Sequence, residues 1–376
     1  MADAKPKSKA FKDWFDKPAA KALGAQMQGA WSGFDTAAFQ RRATKGLLDL
    51  EFSGRVQQFA DALAAGLPDD IPKALGIIAD SLPEIMPGAD SVTDGWLQWP
   101  VGQFIADHGV PHFEESMHAM IELTQRFSSE FAVRPFVDQR PVETFARLQE
   151  LTSHESQHVR RWCSEGVRPR LPWGKVLKAL VADPGPIWPI LDALQGDDER
   201  YVQRSVANTL GDIAKDHPEA AVRWAKACAK RGGEHGLWIA KHGLRGPIKA
   251  GHAGALAAVG FLPPKKVTAT LSASPKTVRV GEAVELHAEL GTTHSRKQTL
   301  LVDYIVHYVR KTKTGGGKTF KWKTVELPAR GSFELTKRHS MKTTTIRALY
   351  PGRHRVELLV GGEVLAETAF TLKPAR

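Results

Sequence analysis

Residues Ser164-Glu165-Gly166-Val167-Arg168-Pro169-Arg170-Leu171-Pro172-Trp173-Gly174 set an acid, two arginines and a tryptophan on a turn interrupted twice by proline. Proline fixes φ and stiffens the backbone around it, and a guanidinium meets phosphate or carboxylate through a planar fork. Arg168 and Arg170, held apart by Pro169, suit adjacent phosphates. With Arg160 and Arg161 they place four guanidiniums within eleven residues. On a solvated helix face the same cluster would be ordinary. Trp173 after Pro172 fits either a core anchor or a flat face offered to a cationic ligand. Glu130, Glu165 and Asp212 lie far apart in sequence, each near the end of a helical stretch, so stacking of helices can gather them on one side. Taken singly, each acid is more often a surface salt-bridge partner.

His154-Glu155-Ser156-Gln157-His158 spells HExxH, in which two histidines one helical turn apart bind zinc and the glutamate acts as base. Ser-Gln between them is polar for a buried zincin helix, and no third ligand stands out downstream. Glu155 aligns instead with Asp198 when 155–161 is laid on 198–204, which marks it as a helix-start acid.

That alignment, with a period of 43 residues, is the spacing of stacked helix pairs. Up to Gly260 apolar residues recur at helical spacing, as in Val56, Phe59, Ala60 and Leu63. Thr152 and Glu155 read as a capping box that opens a helix through Val159 and Trp162. From Phe261-Leu262-Pro263-Pro264-Lys265-Lys266 onward the period becomes two. Strands are predicted over 267–271, 283–290, 300–309, 320–327, 354–360 and 364–372, with a basic hairpin tip from Lys311 to Lys318. The predicted fold is mainly α, a HEAT-like α-solenoid over residues 1–262 followed by an all-β immunoglobulin-like sandwich over 267–376. A curved stack of helices can wrap a cylinder such as duplex DNA.

Charge is distributed unevenly between these halves. The net +11 resides wholly in residues 266–376, which hold 20 Lys and Arg against 9 Asp and Glu. Such a module suits a polyanion, because each cation that meets a phosphate releases counterions; a solubility role is the plainer alternative. Lys311, Lys313, Lys318 and Lys321 at the hairpin are the candidate backbone contacts. Two cysteines, Cys163 and Cys228, are too few for a disulfide framework or a four-thiolate zinc site. No apolar run approaches membrane-spanning length, and a cytoplasmic protein is expected.

The Ser164–Gly174 segment, Val159-Arg160-Arg161-Trp162 before it, Ser128-Ser129-Glu130-Phe131, the stretch Asn208 to Pro218 and Phe11-Lys12-Asp13-Trp14-Phe15-Asp16 together resemble the HEAT-like-repeat DNA alkylation-repair glycosylases of the AlkC branch. The resemblance runs along the whole chain and is least specific over the first hundred residues. It implies a monomeric, nucleoid-associated base-excision enzyme that needs no metal or cofactor. Its substrate would be double-stranded DNA carrying N3-methyladenine or N3-methylcytosine, attacked without flipping the base. Glu130, Glu165, Asp212 and Trp173 would form the active site, and Arg160, Arg161, Arg168 and Arg170 would contact DNA. A base alkylated at N3 is already cationic and can leave without a general acid. What remains is to stabilise an oxocarbenium-like sugar and to place a water, and carboxylates do both. The alternative from another class is a non-enzymatic helical-repeat scaffold for nucleic acid, in which the acids only pair with arginines.

Overall fold

Short acidic caps start several helices. Asp16, Asp35 and Asp70 each accept a hydrogen bond from a backbone N–H three residues on, at 3.0, 2.9 and 3.2 Å, and proline in the first turn of two of these helices removes an N–H that would have no partner. The computed structural model describes residues 10–88, 95–311, 314–344 and 348–375. The chain divides into two compact units, Met1–Asp216 and His217–Arg376.

The first unit contains α1 (Lys17–Ala30), α2 (Thr36–Thr44), α3 (Phe52–Ala64), α4 (Ile71–Ser81), α5 (Trp99–His108), α6 (Phe113–Thr124), α7 (Arg134–Gln139), α8 (Pro141–Glu150), α9 (Gln157–Glu165), α10 (Lys178–Ala182), α11 (Trp188–Leu194) and α12 (Arg200–Asp216). Helices pack in pairs, α3 on α5, α4 on α6 and α9 on α12. Their inward stripes bury Leu23, Met27, Phe59, Leu63, Leu75, Phe104, Phe136 and Trp162, and each buried Leu, Met or Phe contributes about 1.5–3 kcal/mol. The two copies of the 43-residue repeat become α9 and α12. Small polar side chains hold these two helices close, with Ser164 Oγ donating to Ser205 Oγ at 2.6 Å and Thr209 Oγ1 to the Ser164 carbonyl at 3.0 Å. The capping box is corrected. The helix starts at Gln157 with Ser156 at its cap, while Thr152 lies in a separate 3₁₀ turn and donates to the Gln149 carbonyl at 2.7 Å.

The second unit opens with α13 (Pro218–Arg231), α14 (Gly233–Gly243), α15 (Arg245–Lys249) and α16 (Ala253–Ala258). Then come β1 (Val267–Ser274), β2 (Thr277–Arg279), β3 (Ala283–Thr292), β4 (Gln298–Val309), β5 (Thr314–Leu327), β6 (Ser332–Ser340), β7 (Gly352–Val360) and β8 (Glu363–Lys373). One sheet runs β1-β3-β6 and the other β2-β8-β7-β4-β5. All pairs are antiparallel except β2 with β8. Leu286, Val302, Val306, Val356, Leu358 and Phe370 fill the space between them. The six predicted strands are present, and β2 and β6 are additional. In β6 burial alternates, but two of the four inward positions are polar, Lys337 and His339; the His339 ring nitrogens lie 3.0 and 2.9 Å from the Tyr304 and Tyr308 hydroxyls.

Part of the predicted basic tip is strand, because β5 already begins at Thr314 and Gly317 pairs with His307; residues 312 and 313 lie outside the described residues. A Cβ on Gly317 would stand 2.1 Å from Ile305 Cγ2, so only glycine lets the strands approach there. Among the described residues, no helix is long and apolar enough to cross a membrane.

Candidate active site

Glu130 sits in the turn between α6 and α7, Glu165 is the last residue of α9, and Asp212 lies in α12. Packing of α9 against α12 brings the last two together, and a row of cations links all three. Arg161 Nη1 lies 2.5 Å from Glu130 Oε2, and its Nη2 lies 3.5 Å from Glu165 Oε1. Arg168 Nη1 donates to the same Glu165 oxygen at 2.6 Å while its Nε reaches Asp212 Oδ2 at 2.8 Å. Lys215 closes the row, 2.8 Å from Asp212 Oδ1. Carboxylate and guanidinium thus alternate, Glu130, Arg161, Glu165, Arg168, Asp212.

Burial makes this alternation necessary. The side chains of Glu130, Glu165 and Asp212 are only 14%, 6% and 4% exposed, and a buried ion is tolerated only when paired and hydrogen-bonded. At Glu165 burial pushes the pKa up, but Arg161 and Arg168 overcome it and hold the carboxyl below its ordinary value. Both arginines are in turn held above theirs by the acids, against burial. Ser128 Oγ accepts from Arg161 Nη1 at 2.6 Å and donates to Glu130 Oε2 at 2.9 Å. The Tyr201 ring lies under the Arg161 guanidinium at 5.2 Å, a cation–π contact.

The turn that follows α9 is fastened by Arg134. This residue is almost wholly buried, and it donates to the carbonyls of Gly166 at 3.1 Å, Arg168 at 3.0 Å and, through Nε at 2.7 Å, Lys175. Burial lowers its pKa to about 10, which leaves it charged at neutral pH. The fastened turn carries Trp173 with φ at 65°, a left-handed conformation that costs a non-glycine residue about 1–2 kcal/mol. Trp173 is 75% exposed, which removes the core-anchor reading. It meets the rings of Phe11 (5.6 Å), Phe52 (5.8 Å) and Trp99 (6.1 Å), and Trp99 stacks at 4.7 Å on Phe131, the neighbour of Glu130.

The two guanidiniums of the Pro-stiffened turn, expected to suit adjacent phosphates, are both engaged by carboxylates. Arg168 points inward to Glu165 and Asp212, and Arg170 makes a two-pronged pair with Asp216, 2.9 Å on each arm. Arg160 pairs with Asp197 at 2.7 Å and donates to the His154 and Glu155 carbonyls, and Arg161 belongs to the acid row. All four cations meet carboxylates, three of them brought by residues 37 to 46 positions away. The zinc pattern is also not assembled. His154 precedes the helix and accepts from the Ser156 N–H, whereas His158 is inside it and buried. In the second unit Lys311, Lys318 and Lys321 are exposed, and Lys313 lies outside the described residues.

Sequence reasoning missed Arg134, Ser128, Tyr201 and Trp99. In the sequence Arg134-Pro135 reads only as a helix break. Ser128, two residues before Glu130 in a matched motif, carried the one usable signal.

Stacked helix pairs bearing such an acid row, continued in sequence by an immunoglobulin-like sandwich, define a helical-repeat class with a C-terminal β domain. A family model described as the C-terminal Ig-like domain of the uncharacterised protein YhaZ matches residues 267–374. YhaZ of Bacillus subtilis is 34% identical over 322 residues, covering 84% of this chain and 86% of that protein. The structure of the Pseudomonas fluorescens alkylpurine DNA glycosylase AlkC, bound to DNA containing an abasic site analog, superposes with a TM-score of 0.85 at 33% identity, over 97% of this chain and 100% of the other. The chain belongs to the family of YhaZ and AlkC.

Proposed function

We propose that this protein is a DNA glycosylase that excises cationic alkylated bases, N3-methyladenine and N3-methylcytosine, from duplex DNA. The observation that carries the reading is the convergence of Glu130, Glu165 and Asp212 in one arginine-bridged row, with an exposed tryptophan on the turn that follows α9. The likeness to AlkC over nearly the full length supports it.

The chemistry follows from the charges. As the glycosidic bond breaks, its electron pair moves onto the base and cancels the positive charge there. The sugar becomes oxocarbenium-like at C1′, where a carboxylate kept ionised offers electrostatic stabilisation. Water attacks C1′ and gives its proton to a second carboxylate, leaving an abasic site and a neutral base. Arg161 and Arg168 keep Glu165 charged and hold all three acids in place. Trp173 offers its π-face to the cationic ring. The exposed lysines of the sandwich supply phosphate contacts, with Arg170, at the rim of the acid site, as a further candidate.

The non-enzymatic scaffold has one observation in its favour, since each acid of the row is already engaged by a cation. Incubation with methylated duplex separates the readings. Free 3-methyladenine in the supernatant supports the glycosylase, and DNA binding without any released base supports the scaffold.

A further inference from the structure

Beside the acid row, the first unit contains a cleft of about 520 Å³ between α3, α5 and the Trp173 turn. We propose that it is a stacking site for a free purine ring, and that its occupant is the base just excised; this assignment of occupant rests on the glycosylase reading. The volume falls in the range of small-molecule pockets, whose walls are mostly apolar with a few polar groups. The walls here are the rings of Phe52, Trp99, Phe131 and Trp173. The two indoles lie nearly parallel, 23° apart with centroids at 6.1 Å, and offer broad π-faces. A core cluster would close over such rings, whereas Trp173 stays in water on a backbone that must be held in a left-handed conformation.

Polar groups occupy one wall. Gln103 Nε2 donates to Asp107 Oδ1 at 2.9 Å, and Gln57 Nε2 donates to Asp107 Oδ2 at 2.8 Å, so amide and carboxylate are fixed where an exocyclic amine can be read. Phe131, next to Glu130 in the chain, stacks on Trp99, and both rings line the cleft. A methylated adenine loses its charge when the glycosidic bond breaks and is held more weakly by carboxylates. A neutral purine gains from aromatic stacking, which needs no charge.

The test is titration of the full-length protein with free 3-methyladenine, followed by equilibrium dialysis and tryptophan fluorescence, for the wild type, Trp99→Leu and Gln103→Leu. Gln103 is at the surface of α5, which guards against misfolding as the cause of any loss. Saturable binding is expected, weakened about 10-fold or more in each variant, or about 1.4 kcal/mol. Absence of saturable binding, or equal binding by all three proteins, overturns the proposal. A parallel arm uses an abasic-analogue duplex carrying 2-aminopurine at the neighbouring position. Quenching there that depends on Trp99, without binding of the free base, would give the cleft to a DNA base and also overturn it. Release from methylated DNA is measured on the same preparations: release without free-base binding removes the cleft alone, and binding without release removes the glycosylase reading and with it the excised base as occupant.

Discussion

Replacing Arg168 with methionine removes the guanidinium that bridges Glu165 and Asp212 at 2.6 and 2.8 Å, and leaves two carboxylates of 6% and 4% exposure without their shared cation. Deleting one partner of a buried pair costs about 3–5 kcal/mol. Glu165 retains Arg161 at 3.5 Å and Asp212 retains Lys215 at 2.8 Å, which places the expected loss near the lower end, about 3 kcal/mol. A native stability of about 5–15 kcal/mol tolerates that, so the variant folds. A second effect concerns pH. In the wild type the two arginines hold Glu165 below its ordinary pKa against burial. Its contribution to stability is therefore present above the unfolded-state value and is lost as pH falls through the lower folded one. Without Arg168 burial has less opposition, the Glu165 pKa rises, and the acid limb of base release moves towards neutral pH. Urea unfolding near pH 7 and single-turnover release between about pH 4 and 9 read the two effects. A loss under about 1 kcal/mol together with an unmoved acid limb would refute the argument that this row is a coupled electrostatic unit.

Glu165→Gln and Asp212→Asn are each expected to retain DNA binding while losing base release; wild-type rates in both would remove the catalytic assignment. Arg134→Met leaves the Gly166, Arg168 and Lys175 carbonyls without their donor. It should cost about 3 kcal/mol or more and lower base release, read by thermal unfolding and by single-turnover kinetics. Lys318→Ala with Lys321→Ala should reduce the slope of log binding constant against log salt by about 2, with the same change on unmethylated DNA; an unchanged slope would show that β5 does not meet phosphate.

What the sequence revealed depended on how local the cause was. Alternation in β1 and β3 is a consequence of one buried face, and it was legible directly; β4 is buried without alternation from Leu300 to Tyr304 and was legible as a run of apolar and β-branched residues. β6 escaped because Lys337 and His339 take two of its four inward positions, and His339 is satisfied there by two tyrosine hydroxyls on another strand. β2, three residues long, has too few positions for any period. Arg168 and Arg170 look suited to phosphates in the sequence because their carboxylate partners, Asp212 and Asp216, stand 44 and 46 residues downstream. Those two aspartates are one helical turn apart on α12, the spacing that two arginines separated by a single proline require, and this was the signal available. The acid set itself was reached through family motifs; helix periodicity places each acid near a helix end and does not say which ends meet. Nothing local marks Arg134 as the fastening of the Trp173 turn, since its acceptors are backbone carbonyls of a distant segment.

The central claim, that arginine-bridged carboxylates expel a cationic base, is tested most directly by chromatography of the bases freed from methylated duplex under single turnover, at protein concentrations that saturate the DNA for wild type and Glu165→Gln alike. The expected result is release of 3-methyladenine by the wild type and a loss of at least about 100-fold in the variant, about 2.7 kcal/mol of transition-state stabilisation. Equal release by both proteins, or none by the wild type on fully bound DNA, would contradict it.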